Sequence, residues 1–224
     1  MKVRGFAHSV VGGREQNQDA FLVWDERFLY AVADGVGGGL KGEVASKMAV
    51  DGLRDLGAGE TDLKPVFENI QKQVLHEAMT TLGDALMGTT LTAVLVSAGK
   101  AHLCHVGDSR CYLLDQGCLR LLTVDHESFD EVLKVPVLCS YMGIPSDTHP
   151  LTILQETIPI SPGQKLLLCS DGLYKQVSES RIAQVISGEG EPALAVETLC
   201  AEAARAPYSD NITIVLIEIV AEPA

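Results

Sequence analysis

The stretch TTLTAVLVSAGKAHLCHVGDSRCYLLDQGCLRLLTVD, residues 89–125, decides the fold. Its apolar residues come in short runs, each closed by a Gly or Asp turn, and runs of that length between such turns read as strands. The spacing predicts an antiparallel meander of four strands. Upstream, AFLVW and FLYAVAD flank the short turn DER and read as a hairpin. Between hairpin and meander the period changes to that of helices. Val44, Ala45, Met48, Ala49, Leu53 and Leu56 fall on one helical face within 43–56. After Thr61 and Asp62, the residues Leu63, Val66, Phe67, Ile70, Val74, Ala78 and Leu82 mark a second helix, with Pro65 tolerated in its first turn. Downstream of a weakly patterned segment, 126–149, come the strands LTILQETIPI and QKLLLCSD with the turn SPG between them. Two short helices, about 179–187 and 192–205, precede a last strand, NITIVLIEIV.

Strands, two helices, strands, two helices and a final strand make an α+β chain. Hairpin connections imply antiparallel sheets, and two such sheets face to face with helix pairs outside would bury the apolar runs on both sides. The expected architecture is a four-layer αββα sandwich, read as a single domain over 1–224 with its core at about 3–219.

At 224 residues and 46% hydrophobic composition the chain is long enough for a substantial core. Its 30 acidic against 17 basic residues give a net charge of -13, which repels nucleic acid and anionic membrane surfaces and favours metal cations or basic partners. No segment approaches the ~18 apolar residues of a membrane span, and the opening MKVRGFAHSVVGG has no signal-like apolar run. A soluble, cytoplasmic protein that binds neither nucleic acid nor membrane is the expectation. Six cysteines, Cys104, Cys111, Cys118, Cys139, Cys169 and Cys200, form no C-x-x-C pair and sit mostly in apolar runs, which suits small buried hydrophobes in a reducing compartment.

Acidic residues recur where apolar strands end: Asp19, Asp34, Asp108, Asp171 and Asp210. Singly, each reads as an ordinary turn residue. As a set they suit a hard cation such as Mg²⁺ or Mn²⁺, which prefers clustered oxygen ligands. The run DGVGGGLKGE lacks the spacing of a nucleotide phosphate loop; its glycines serve either a close approach to a metal or phosphate or a tight strand-to-helix connection. Arg14, five residues before Asp19, is either a surface residue or a rigid fork for phosphate oxygens.

The segments REQNQD, VADGVGG, GTTLTAVLV, HVGDSRCYLL, LTVDH, LLLCSDGL and SDNITIVLIEI together resemble the ordered motif set of the metal-dependent protein phosphatases, the protein phosphatase 2C (PPM) type, in its compact bacterial form. The resemblance runs from about residue 3 to 219. It implies the same sandwich and a serine/threonine phosphoprotein phosphatase that hydrolyses its substrate by attack of a metal-bridging hydroxide. Carried over position by position, it implies that Asp34 bridges two Mn²⁺ or Mg²⁺ ions with the Gly35 carbonyl on one of them. Asp171 and Asp210 would complete the protein ligands, Asp19 would act through water, and Arg14 would grip the substrate phosphate. Phosphorylated proteins are the implied partners, opposite a serine/threonine kinase, with the enzyme a monomer.

Four positions depart from the family pattern. Val36 stands where many eukaryotic relatives carry a His proposed as general acid, so leaving-group protonation would fall to metal-bound water or another group. Gln18 replaces an acidic residue found in some relatives. The flap segment, HESFDEVLKVPVLCSY, is short. Lys175 occupies the place of an acidic ligand that, with the counterpart of Asp108, holds a third metal in some relatives. Asp108 alone would then be a weak third site, and Lys175 either supplies a fixed positive charge beside it or points into solvent. The short flap and the missing ligand leave a second function open, a catalytically weak phosphoprotein-binding regulatory module.

Overall fold

The computed structural model describes residues 1–36, 41–82, 87–132, 134–145, 150–188 and 190–222. The glycine run at 37–39 read above lies outside the described residues. Two five-stranded antiparallel sheets lie face to face. One has the strand order β1-β12-β11-β6-β7, from β1 (Lys2–Val10), β12 (Ile212–Val220), β11 (Lys165–Cys169), β6 (Arg110–Asp115) and β7 (Cys118–Leu121). The other has the order β10-β5-β4-β3-β2, from β10 (Leu154–Pro159), β5 (Lys100–Val106), β4 (Leu91–Ser97), β3 (Leu29–Asp34) and β2 (Asp19–Trp24). Helices α1 (Gly42–Gly52) and α2 (Lys64–Leu82) cover the second sheet. The one-turn α3 (Asp171–Tyr174), α4 (Glu179–Ile186) and α5 (Pro192–Ala203) cover the first. The expected αββα sandwich is therefore present.

The run KLLLC is continuously apolar because β11 is buried on both faces. Leu166 and Leu168 point between the sheets, against Val32, Val94, Val215 and Ile217. Leu167 and Cys169 point the other way, onto Ile182, Leu199 and Cys200 of the helices. On the opposite outer face, the small Ala45 and Ala49 of α1 let that helix approach Ala31, Ala33 and Ala93 closely.

The expected four-strand meander is corrected in one respect. β4 and β5 pair, and β6 and β7 pair, but β5 and β6 belong to different sheets. The chain changes sheets at VGDSR, where Gly107 has φ +112°, a backbone region open to glycine at little cost. The turn is thereby aimed at the end of the sandwich and leaves Asp108 there. Strand β1 and the flap ribbon β8 (Glu127–Asp130) with β9 (Val135–Leu138) were not expected from the sequence. All six cysteines are unpaired; Cys104, Cys111, Cys169 and Cys200 are buried as expected, whereas Cys118 is exposed at the start of β7.

Candidate metal centre

Asp19 at the start of β2, Asp34 at the end of β3, Asp108 before β6, Asp171 after β11 and Asp210 before β12 come together at one end of the sandwich. The β2–β3 register sets Asp19 opposite Asp34. Asp34 is held by its backbone: its N–H donates to Thr90 Oγ1 at 2.9 Å, and its carbonyl accepts from the Thr90 N–H and the Thr89 hydroxyl at 2.8 Å. Asp171 follows β11 and opens α3. The preceding Ser170 accepts from the Thr213 N–H at 3.0 Å and donates to Asp19 Oδ2 at 2.8 Å, tying the two sheets together behind the site. Asp210 precedes β12. Beside it Asn211 accepts from the Gln18 N–H and donates to the carbonyls of Val11 and Gln16, which fixes the loop carrying Arg14. The Asp108 carbonyl accepts from the Tyr174 hydroxyl at 3.1 Å, and Arg110, chelated by Asp125, lies 3.7 Å above the Tyr174 ring.

Gly172 shows how tightly this end is packed. A Cβ there would overlap the Asn211 carbonyl oxygen. Gly172→Ala must therefore separate α3 from β12, moving Asp171 away from Asp210, and is expected to lower Tm by ~4–8 °C in a thermal melt.

Asp34, Gly35, Asp108, Asp171, Asp210 and Arg14 all border one cleft of about 350 Å³. Asp19 does not border it; it lies behind, on Ser170. The concentration of carboxylates dominates the electrostatics. Burial pushes the Asp34 carboxyl well above the usual range, reinforced by the charges of Asp19, Asp171, Asp108 and Asp210. Burial lifts Asp19 to about 6 against hydrogen bonds from Thr213 and Ser170. Burial, with the charge of Asp171, lifts Asp108 to about 7, partly offset by Lys175.

Two cations answer this charge. The Arg14 fork is bidentate on Asp210, at 2.8 and 2.6 Å. The Lys175 ammonium lies 2.7 Å from Asp171 Oδ2 and 3.8 Å from Asp108 Oδ2, so of the two readings left open for Lys175 the structure has the one beside Asp108. Burial works against its protonation, but the charges of Asp171 and Asp108 and the hydrogen bond to Asp171 outweigh it.

The residues suit a divalent cation. Asp19 Oδ1 and Asp171 Oδ1 are buried carboxylate oxygens without a hydrogen-bond partner, the kind of acceptor that a protein interior leaves open only at cost. An all-oxygen donor set is what Mn²⁺ and Mg²⁺ take. Among the described residues, however, no three acidic, His or Cys side chains close on a common point. Asp210 is engaged by Arg14 through both oxygens, whereas Asp171 is engaged by Lys175 through Oδ2 alone. Val36 lines the cleft with an apolar side chain, and Gln18 borders it without charge. Ser170, Thr90 and Asn211, which hold the acidic residues in place, were not singled out by the sequence reading. Their signal was adjacency to the Asp motifs in CSDG, GTT and SDN.

A family model described as protein phosphatase 2C matches residues 4–199. The chain is 30% identical to the serine/threonine phosphatase stp of Listeria welshimeri over 228 aligned residues, covering 91% of this chain and 89% of that protein. Among solved structures it superposes on PppA of Pseudomonas aeruginosa with a TM-score of 0.86 at 30% identity, covering 97% and 98% of the two chains. It also superposes on the catalytic domain of the serine/threonine protein phosphatase PstP in complex with two manganese ions, with a TM-score of 0.83 at 28% identity, covering 98% and 99%.

Proposed function

Because the chain belongs to the protein phosphatase 2C family, we propose that its acidic cleft is the active site of a serine/threonine protein phosphatase, with Asp34, Asp171, Asp210 and the Gly35 carbonyl as ligands of the metal pair. The enzyme is metal-dependent and works with two Mn²⁺ or Mg²⁺ ions. The observation that carries the residue assignment is the convergence of Asp34, Asp171 and Asp210 on one cleft with an arginine fork at its edge. The regulatory-module alternative is not favoured.

When bound, such a pair of ions supplies a water of lowered pKa and offsets the charge of the phosphoryl group. The chain's own residues do the rest. Asp34 has its backbone locked by Thr89 and Thr90, which fixes where its carboxylate enters the cleft between the ligands on either side. Asp19 lies behind it and orients solvent ligands. A phosphoserine or phosphothreonine carries close to two negative charges at neutral pH, and a carboxylate cluster alone would repel it. Arg14 offers the fork that grips two phosphate oxygens once it leaves Asp210.

Lys175 sets the number of ions. Its ammonium stands between Asp108 and Asp171, where a further hydrated ion would have to sit. Lys175→Asp replaces this tethered cation by a ligand. Calorimetric titration with Mn²⁺ is expected to show a third, weaker equivalent in that variant; an unchanged titration would contradict the assignment.

The whole chain, 1–224, acts as one phosphatase domain, a monomer. It serves bacterial signalling in the cytoplasm, acting on proteins phosphorylated by an opposing serine/threonine kinase. Among the described residues no helix is long and apolar enough to cross a membrane. The direct test is phosphate release from a phosphothreonine peptide in EDTA and after addition of Mn²⁺. Turnover only with Mn²⁺ is expected; turnover undiminished in EDTA, or none in either, would overturn the assignment.

A further inference from the structure

One wall of the cleft is apolar, and it continues outside. In the flap ribbon Glu127 stands opposite Leu138, and Phe129 opposite Pro136. Side chains alternate along a strand, so these four share one face of the ribbon. Three of them, Glu127, Pro136 and Leu138, border the cleft. Phe129 extends the same face outward and is 57% exposed. A two-stranded ribbon gains little stability from an aromatic side chain left in water. Charge sets the second property of this rim: the carboxylates of Glu15 and Glu127 border the cleft and make no hydrogen bond or salt bridge among the described residues.

We propose that the Phe129–Pro136–Leu138 face is the docking surface for the substrate polypeptide. Its occupant is an extended phosphoserine or phosphothreonine segment with a bulky apolar residue on that face and a basic residue against Glu15 and Glu127. The proposal rests on the phosphatase reading and deepens it. Two observations select this occupant: the apolar face is continuous with the cleft that receives the phosphorylated side chain, and the net charge of -13 disfavours acidic segments. Spacing sets the position. Alternate residues of an extended chain lie ~7 Å apart, the same repeat as Leu138 to Pro136 along β9. With the phosphorylated residue in the cleft, the apolar side chain therefore falls about two or four residues away.

The test is a panel of phosphothreonine peptides with Leu, Lys, Ala or Glu at the second and fourth positions on either side, with an aryl phosphate as the substrate that has no polypeptide. kcat/KM is expected to be ~10-fold or more higher for peptides with Leu and Lys than for those with Glu, the order of effect of one aromatic contact plus one charge pair. Phe129→Ser should reduce the Leu preference to within about threefold, lowering the ratio of peptide to aryl phosphate kcat/KM. Glu127→Lys should abolish the Lys preference. Equal kcat/KM across the panel with aryl phosphate still hydrolysed would overturn the docking surface and leave the phosphatase reading standing, as would a preference that survives Phe129→Ser. Failure to hydrolyse either peptide or aryl phosphate would remove both. A concentration-dependent dimer dissolved by Phe129→Ser would assign the face to a second copy of the chain and overturn the proposal.

Discussion

Asp34→Asn is expected to abolish Mn²⁺-dependent hydrolysis, lowering kcat by roughly 10³-fold, while raising the Tm of the metal-stripped protein by ~2–4 °C. The two effects have one cause. Asp34 is buried among Asp19, Asp108, Asp171 and Asp210, and both burial and those neighbours disfavour its charge. A neutral side chain of the same shape relieves that repulsion by about 1 kcal/mol, and the backbone hydrogen bonds to Thr89 and Thr90 are untouched because they do not involve the carboxylate. On the proposed assignment, however, catalysis needs the anion as a metal ligand. Saturating Mn²⁺ should raise the Tm of the native protein, since ~100-fold excess over Kd is worth ~2.7 kcal/mol, and should leave Asp34→Asn nearly unmoved. Differential scanning fluorimetry with and without Mn²⁺ reads both halves. A variant that loses stability and activity together would point to an ordinary packing role.

Arg14→Ala separates substrate binding from metal binding. Loss of a charge-assisted fork on phosphate is expected to raise KM for a phosphothreonine peptide ~10²-fold, at about 3 kcal/mol. Metal binding should move the other way. Arg14 now holds both oxygens of Asp210, and a metal that takes this carboxylate must displace the guanidinium. The side chains are 54% and 38% exposed, so the pair contributes at most ~1 kcal/mol, and removing it should tighten Mn²⁺ binding by no more than about fivefold. Weaker Mn²⁺ binding in this variant would show that Arg14 orients Asp210 for the metal rather than competing for it.

What the sequence made legible follows a physical division. Elements defined by local periodicity were readable: the β2–β3 hairpin, α1, α2 and the apolar run of β11 all stand where their patterns put them. The sheet change at Gly107 was not, because β5 and β6 have the same local pattern whether they pair with each other or diverge. β1 was missed because only Val3 in KVRGFAHSV is fully buried, so no alternation marks the strand. The four-residue α3 is too short to show a helical period.

The site divides in the same way. The acidic residues were visible individually because each flanks an apolar run. Their supports were not: Ser170 meets Asp19 across 151 residues of chain, and Asn211 meets Gln18 across 193. Such contacts exist only once two sheets are in place. Lys175 was visible as an oddity, but its direction was not; a lysine four residues after an Asp pairs with it only if the intervening turn is helical, and the turn at Asp171–Tyr174 is.

The central claim, that these carboxylates hold a pair of divalent ions, is most directly tested by an anomalous difference map from crystals grown with MnCl₂. Two peaks are expected in the cleft, flanking Asp34 and within ligand distance of Asp171, Asp210 and the Gly35 carbonyl, with the Arg14–Asp210 pair opened and Lys175 still beside Asp108. An empty cleft at saturating Mn²⁺, or peaks only elsewhere on the protein, would contradict it.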